Sequence, residues 1–361
     1  MNYLTPFQSH SYYEEAKDSL ILPNVSYCKE ENEVHFNQKP STKIVAKFVV
    51  NDASVGTRII GYTEQAQIEG PTIRFDNFSS FSDIEIDGQT MMIRDATPRL
   101  SVGVHTIKYT PSNLSTINYN DFRECNRMVS VEFPSNITTI DSYAFAGCTN
   151  LSSLTLTENI TTLNSGAFNN CISLRSVYIP SGVTNIYGNP FTGCYNIEAM
   201  SVDGNNEAYF DDTHNAIISV DGTLVSGCKN TSFNSGYTSL TSIGPDAFAG
   251  CSSLQSFVIP NYVESIKDRA FANCTSLSSL TIGNNVSDMR ASYVFNGCSR
   301  LTNIYAEPLT APTVVNATFR NIASNGTLTI YEGSTGYNTW LGTGNYYLGK
   351  YGWNQTYFIG K

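Results

Sequence analysis

Apolar residues recur with a period of 23 residues through the middle of the chain. Counted from Phe145, they stand at +3, +6, +9, +11, +15, +18 and +22, and Phe168 then opens the same series again. A fixed period of roughly 20–50 residues indicates a repeat protein whose stacked units share one continuous core. Further units begin at Phe122, Phe191, Phe248, Phe271 and Phe295.

Each unit contains two stretches that favour β-strands. One is an L-x-x-L-x-L core, as in 151–156, and the other is a V-x-x-I stretch, as in 183–186. The A-F-x-x-C-x-x-L segment predicts a short helical turn, because Phe, Cys and Leu recur three residues apart. Stacking such units at the strand spacing of ~4.8 Å would bring the Phe and Cys positions into internal ladders.

Eight of the nine cysteines follow the repeat. They are separated by 23, 23, 23, 34, 23, 23 and 24 residues. A zinc site would need short C-x(2–4)-C pairs, and the sequence has none. Adjacent thiols of a ladder point the same way, which suits disulfide geometry poorly, so we expect buried free thiols. The eight are Cys125, Cys148, Cys171, Cys194, Cys228, Cys251, Cys274 and Cys298.

One unit is longer than the others. From Phe191 to Val225, which takes the phenylalanine position, the chain advances 34 residues, which is 23 plus 11. Runs that favour β-strands lie on both sides of Asp221 and Gly222, and such a pattern predicts a β-hairpin. We therefore expect a hairpin insertion at 203–228, either protruding or at a sheet edge.

The flanking segments do not repeat. Residues 41–112 alternate at period two and predict a small β-sandwich domain (Ig-like) that would also cap the first repeat. Residues 1–40 show no core pattern and are interpreted as an arm or linker. The solenoid is assigned to 113–331. The aromatic segment 332–361 is interpreted as a C-terminal cap, with an aromatic carbohydrate platform as the alternative.

Composition narrows the classes of function. Only 14% of residues are charged and the net charge is −10, so the basic surface that phosphate backbones require is missing. No apolar run approaches the ~20 residues of a membrane helix. Glu14, Glu15 and Asp18 stand where the apolar core of a signal peptide would lie, so either a signal was removed or none was used.

Motifs of enzyme chemistry are missing from the sequence. It contains no G-x-S-x-G, no P-loop and no H-E-x-x-H, and its four histidines do not pair at ligand spacing. The sequence therefore predicts no enzyme and no cofactor. The best metal candidate is a polar loop whose clustered oxygens suit calcium, although a solvated turn is the favoured interpretation. Its residues are Asp203, Asn205, Glu207, Asp211 and Asp212.

The unit A-F-x-x-C-x-x-L-x-x-[LV]-x-I-P-x-x-V-x-x-I, present as 167–186, resembles the BspA-like leucine-rich repeat family. The resemblance covers roughly 122–330. It implies a mainly β leucine-rich repeat solenoid of about eight 23-residue units, preceded by the β-sandwich cap. Family members are typically surface or secreted proteins of gut and oral bacteria implicated in adhesion, and similar chains occur in phages of gut bacteria.

A recognition or adhesion protein is the function we predict. It would bind a protein or glycan on a host or bacterial surface through the exposed face of the strand array, at the cell surface or outside the cell. The alternative is a structural or receptor-binding component of a phage virion, anchored through residues 1–40 as an assembly contact. The predicted contact residues are Tyr178, Tyr305 and Glu132 at the outward +8 and +10 positions, with Tyr209 and His214 in the hairpin unit.

Overall fold

The two β-forming stretches of each repeat build two stacks of short strands in the computed structural model. The structure describes residues 42–52, 58–60, 80–91, 99–113, 115–211, 213–233, 239–315, 317–344 and 347–358. The strands are β1 (Ile44–Val50), β2 (Phe81–Ile86), β3 (Gln89–Met91), β4 (Gly103–Pro111), β5 (Thr116–Ile117), β6 (Met128–Glu132), β7 (Thr139–Ile140), β8 (Ser153–Thr155), β9 (Thr162–Leu163), β10 (Ser176–Ile179), β11 (Asn185–Ile186), β12 (Ala199–Val202), β13 (Tyr209–Phe210), β14 (Ala216–Ser219), β15 (Thr223–Gly227), β16 (Ser242–Ile243), β17 (Ser256–Ile259), β18 (Ser265–Ile266), β19 (Ser279–Ile282), β20 (Asp288–Met289), β21 (Asn303–Ala306), β22 (Thr313–Val314), β23 (Thr327–Ile330) and β24 (Asn354–Tyr357). A short helix, α1 (Tyr337–Trp340), and a 3-10 turn (Leu348–Tyr351) follow the last repeat.

The L-x-x-L-x-L stretches form the front strands. They pair in parallel as β6–β8, β10–β12 and β17–β19–β21–β23–β24. The register advances by one repeat at each step, so Ser256 lies opposite Ser279, which lies opposite Asn303. Because side chains alternate across a strand, the +8 and +10 positions share one outer surface, which we call the strand face.

The V-x-x-I stretches form the back sheet. It runs as β5–β7–β9–β11 and then as β13–β14–β15–β16–β18–β20–β22. Each contribution is only two residues long in a regular unit, as in the parallel pair of Ile140 and Leu163. The prediction of a mainly β repeat solenoid is confirmed.

Phenylalanine rings stack through the core at the repeat spacing. Neighbouring rings lie nearly parallel, with centroids 4.9–5.8 Å apart. Each ring is carried on a tight turn rather than a regular helix. In that turn the Cys148 N–H donates to the Phe145 carbonyl at 3.2 Å. The stack forms two runs, Phe122–Phe145–Phe168–Phe191 and Phe248–Phe271–Phe295–Phe319.

The repeated cysteines are buried free thiols, as predicted. Sequence reasoning treated them as small apolar residues, but the structure gives the thiol a second role. The Cys148 S–H donates to the carbonyl of Phe122 at 3.1 Å, and Cys171 does the same to Phe145 at 3.2 Å. The thiol is thus a second, weak donor to a buried carbonyl that already accepts an N–H within its own turn, a contact that alanine could not make.

The strands before the first repeat extend its front sheet. Strands β1 to β4 follow the antiparallel order β3-β2-β4-β1, and β1 then pairs antiparallel with β6, placing Val45 opposite Glu132. The first front strand is therefore hydrogen-bonded along this edge. The described parts of 41–112 supply this one sheet, so the predicted sandwich stays a prediction. Residues 1–40 lie outside the described residues.

The hairpin turns at Asp221 and Gly222, where β14 and β15 pair antiparallel. It does not protrude. It is an internal part of the back sheet, since β15 continues in parallel onto β16. The hairpin also divides the core, because Ile217 packs with the repeats before it and Ile218 with those after it.

The phenylalanine turns resume their stacking across the insertion. In regular units, turn residues donate to the turn of the next repeat, as Gly147 does to Asn169 at 2.7 Å. The Gly193 N–H instead donates to the carbonyl of Ala249 at 2.9 Å. The turn of Phe191 is thus bonded directly to the turn of Phe248, past the inserted chain.

Aromatic residues close the C-terminal end. The Trp340 ring lies 5.2 Å from Phe319, and its Nε1–H donates to the Pro312 carbonyl at 3.0 Å. The Trp353 Nε1–H donates to the Ala323 carbonyl at 2.8 Å. Both indoles are buried with their one donor satisfied.

Candidate functional site

The strand face is a flat, hydroxyl-rich surface with a few large exposed side chains. Val258, Thr281 and Tyr305 lie opposite one another on β17, β19 and β21. Val258 is 63% exposed, although valine is more often buried. Tyr178 stands on β10 and is 47% exposed. Exposed aromatic and aliphatic side chains on a regular sheet are typical anchors for a partner.

Tyr178 is oriented by a neighbouring carboxylate. Its hydroxyl donates to Asp203, which follows the adjacent strand β12. This hydrogen bond raises the pKa of Tyr178 to about 12 and lowers the pKa of Asp203. Asp203 also accepts from the Asn205 N–H at 2.8 Å, so its position is fixed by the turn. The tyrosine ring is therefore presented in one orientation.

Tyr305 and Glu132 lie at opposite ends of the front strands. Tyr305 belongs to an aromatic cluster in which Phe358 lies 6.3 Å from it and 4.5 Å from Tyr331. Glu132 is exposed on β6, beside Thr155 of β8 and close to the junction with β1. These two predicted contacts are accessible, but the structure does not bring them together with Tyr178.

Two other predicted contacts are buried and serve the fold. Tyr209 is 7% exposed, and its hydroxyl accepts from the Ile186 N–H at 2.6 Å. That bond links the end of β11 to β13, where the back sheet changes from regular strands to the insertion. His214 is also buried, with its ring 5.1 Å from Phe233. The prediction that they form surface contacts is wrong, because the hairpin folds into the sheet.

Two carboxylates of the predicted calcium loop, Asp203 and Asp211, are engaged in hydrogen bonds to neighbouring groups of the protein. The Asp211 carboxylate accepts from the N–H groups of Val202 at 2.7 Å and Thr213 at 2.9 Å. Asp203 is engaged with Tyr178 and Asn205 as described. Among the described residues no cluster of three or more His, Cys, Asp or Glu side chains is placed to hold a metal. Asp212 lies outside the described residues.

A cavity on the strand face was missed by sequence reasoning. It measures about 200 Å³ and opens where the front strands are interrupted between β12 and β17. Phe233 reaches it from the long unit, eight residues after Val225, so its outward position followed from the repeat count. The cavity is lined by Phe233, Val258, Ile259, Pro260, Asn261, Tyr262, Thr281 and Glu307.

A model of the BspA-type leucine-rich repeat region matches residues 71–209 and 221–338, in 6 copies. The match spans most of the chain and stops and restarts around the insertion. Within the described ranges, no helix has the length and apolar character needed to cross a bilayer. No curated protein matches the chain.

Several solved structures are similar to this chain. A leucine-rich cell surface protein from Faecalibacterium prausnitzii is 22% identical with a TM-score of 0.48, over 59% of this chain and 56% of that one. A leucine-rich repeat protein from Eubacterium ventriosum is 21% identical with a TM-score of 0.46, over 60% and 64%. The pneumococcal vaccine antigen PcpA is 15% identical with a TM-score of 0.42, over 55% and 61%. The match spans less than two thirds of each of these proteins.

Proposed function

Because the chain belongs to the BspA-type leucine-rich repeat family, we propose that it is a non-enzymatic recognition protein that binds a protein partner through its strand face. Solenoids of this class are generally binding proteins, and the family is typically found at the cell surface. The proposal includes a location at the cell surface or outside the cell.

The observation that carries the proposal is the cavity beside Val258. Phe233, Tyr262 and Pro260 give it apolar walls, and Glu307 supplies a carboxylate. At about 200 Å³ it accommodates a side chain rather than a drug-sized ligand. An apolar or lysine side chain on a protein surface fits this combination. The surrounding flat hydroxyl surface then supplies contact area without charge selectivity.

A charge placed at the mouth of the cavity tests this. We expect Val258→Lys to weaken adhesion of the labelled protein to cultured epithelial or bacterial cells by at least about tenfold, since the new side chain would occupy the mouth of the cavity and pair with Glu307 in place of the partner's side chain. Val220→Lys is the matched control, because Val220 is equally exposed but lies in the turn of the back-sheet hairpin. Protease treatment of the cells should remove the binding.

Three outcomes contradict the proposal. Unchanged adhesion of Val258→Lys would exclude the cavity as the contact. Adhesion lost after periodate oxidation of the cells but retained after protease treatment would indicate a glycan partner. Adhesion to neither cell type, combined with incorporation into phage particles that depends on residues 1–40, would favour the virion component.

A further inference from the structure

A second cavity lies among the phenylalanine turns of the first three repeats, separate from the strand face. It measures about 260 Å³. Its lining combines two tyrosine rings, two amides, one guanidinium group and one carboxylate. The side chains that supply them are Tyr119, Tyr143, Asn169, Asn170, Arg123 and Glu124.

The two tyrosines form aromatic walls at right angles. The ring centroids of Tyr119 and Tyr143 are 6.0 Å apart with an interplanar angle of 84°. Tyr119 is 46% exposed and Tyr143 is 40% exposed, so both keep surface available to a ligand. An aromatic face with a hydroxyl at its edge suits a ligand that has both C–H and O–H groups.

The polar side chains are held in place by their neighbours. The Asn169 Nδ2–H donates to the Thr192 carbonyl at 3.2 Å, and the Asn170 Nδ2–H donates to the Asn169 Oδ1 at 2.8 Å. Arg123 Nε lies 4.0 Å from Glu124 Oε1. Opposite charges side by side favour a neutral ligand with several hydroxyl groups over an anion.

Two of these side chains belong to residues whose backbone has a left-handed, positive φ. Glu124 has φ +60°, and the equivalent position two residues after each phenylalanine is otherwise a glycine or an asparagine with positive φ. Tyr143 has φ +57°, and its equivalents in other repeats, among them Gly166 and Tyr293, share the positive φ. Left-handed φ is unfavourable for residues such as Glu and Tyr, and such strain concentrates at functional sites, so the departure that is specific to this cavity is the one at Glu124. The equivalents of Glu124 are Gly147, Asn170, Gly193, Gly250, Asn273, Gly297 and Asn321.

Adjacent glycines make room for both strained side chains. A Cβ on Gly166 would lie 2.8 Å from Cε1 of Tyr143. A Cβ on Gly147 would lie 3.1 Å from Cγ of Glu124. The next repeat is therefore shaped around the cavity side chains, although the repeat itself requires neither Glu nor Tyr at these positions.

We propose that this cavity binds a neutral pyranose unit of a glycan, with its C–H face against Tyr119 or Tyr143 and its hydroxyls hydrogen-bonded to Glu124, Arg123 and the two amides. The site is independent of the strand face. A cavity of this size holds one sugar ring, so monosaccharide affinity is weak and a glycan gains strength through repeated contacts.

The test uses N-acetylglucosamine, galactose and mannose as neutral probes and N-acetylneuraminic acid as the anionic one, titrated by NMR into the full chain. We expect saturable binding of at least one neutral sugar. Glu124→Asn and Tyr143→Asn should each weaken it by about tenfold or more. Because asparagine tolerates left-handed φ, both variants should keep or raise the Tm.

Tyr293→Asn is the matched control. Tyr293 occupies the same position as Tyr143 in a distant repeat, with φ +63°, and does not line the cavity. This variant should keep or raise the Tm and leave sugar binding unchanged, as should Val258→Lys. The proposal is overturned if no neutral sugar binds, if only the anionic sugar binds, or if Glu124→Asn and Tyr143→Asn bind like the unmodified chain. A fall in Tm for these two variants would assign the side chains to packing instead.

Discussion

The side-chain amide of Asn189 donates to the main-chain carbonyl of Asp246 at 2.9 Å, across the whole insertion. The same Nδ2 donates to the Ala247 carbonyl at 3.2 Å, and Oδ1 accepts from the Phe191 N–H at 2.8 Å. Asn189 is buried. Together with the bond from Gly193 to Ala249, this one amide therefore joins the two halves of the solenoid across the insertion.

Replacing this amide should destabilise the chain strongly. We expect Asn189→Ala to lower the free energy of unfolding by about 2–4 kcal/mol, since it leaves buried carbonyl and N–H groups unsatisfied. Urea unfolding followed by circular dichroism measures it. Asn185→Ala is the control, because that exposed amide bonds only to Thr184 at 3.0 Å. Equal midpoints for the two variants would show that Asn189 does not hold the junction.

The buried thiols should react only after unfolding. Burial raises the pKa of Cys125, Cys171 and Cys274 well above its ordinary value, so little reactive thiolate forms. Mass spectrometry after iodoacetamide treatment should find the eight repeat cysteines unmodified in the native chain and alkylated in urea. Rapid native alkylation of several of them, or internal disulfides, would be inconsistent with the ladder.

The N-terminal sheet contains a pH-dependent pair. His105 Nδ1 lies 2.6 Å from Asp87 Oδ2, and Nε2 lies 2.9 Å from the Ser101 carbonyl. Hydrogen bonding to Asp87 raises the pKa of His105, and the same bond lowers the pKa of Asp87. The contribution of His105 to the free energy of unfolding is fully present below its unfolded pKa of about 6.5 and is lost as pH rises through its raised pKa in the folded chain. The contribution of Asp87 to the free energy of unfolding is present above about pH 4 and is lost as pH falls through its lowered pKa in the folded chain.

We therefore expect the pair to stabilise the chain most between about pH 4 and 6.5. In Asp87→Asn, the loss of unfolding free energy relative to the unmodified chain should be largest in this window. Urea midpoints measured from pH 4 to 9 test it. If the difference in unfolding free energy between Asp87→Asn and the unmodified chain does not shrink above about pH 6.5, the pair is not the source of the pH dependence.

Asp121 makes the stability of the chain depend on pH for a different reason, the burial of its carboxyl group. It occupies the position before Phe122 where regular repeats carry alanine, and its Oδ2 accepts from the Asn118 N–H at 2.7 Å. In later repeats the equivalent N–H donates to a preceding repeat, as Asn164 does to Ile140 at 3.0 Å. Within the described residues no earlier repeat offers this carbonyl to Asn118, and the carboxyl group of Asp121 accepts in its place.

Burial raises the pKa of Asp121 to about 6. The folded chain then holds this proton more tightly than the unfolded one, so its contribution to stability falls as pH rises from about 4 to 6. Asp121→Asn keeps an acceptor without the charge. Between pH 4 and 7 we expect the free energy of unfolding of this variant to exceed that of the unmodified chain by up to about 3 kcal/mol. Urea unfolding measures the difference. If the difference in unfolding free energy between Asp121→Asn and the unmodified chain does not change with pH, the raised pKa of Asp121 is refuted.

The repeat core was predictable because its determinants are local and periodic. The recurrence of Phe145 and Phe168 after 23 residues is enough to predict a ring stack, and Asp221-Gly222 to predict a hairpin. Tyr209 and His214 were predicted as contacts but are buried, because their burial depends on how the inserted chain packs into the back sheet. The cavity at Phe233 and the pairing of β1 with β6 require contacts between distant segments, which periodicity does not specify.

The pairing of equivalent turn positions by these bonds has a consequence for how such a chain changes length. Removing or duplicating one complete unit, for example 146–168, leaves every N–H group of the turns facing an equivalent carbonyl. A deletion that removes only part of a phenylalanine turn would leave buried donors in this row without acceptors. Residues between the turns can vary in number, as in the 24-residue unit from Phe271 to Phe295, and the longer insertion is compatible with the fold because the chain re-enters the stack at an equivalent point.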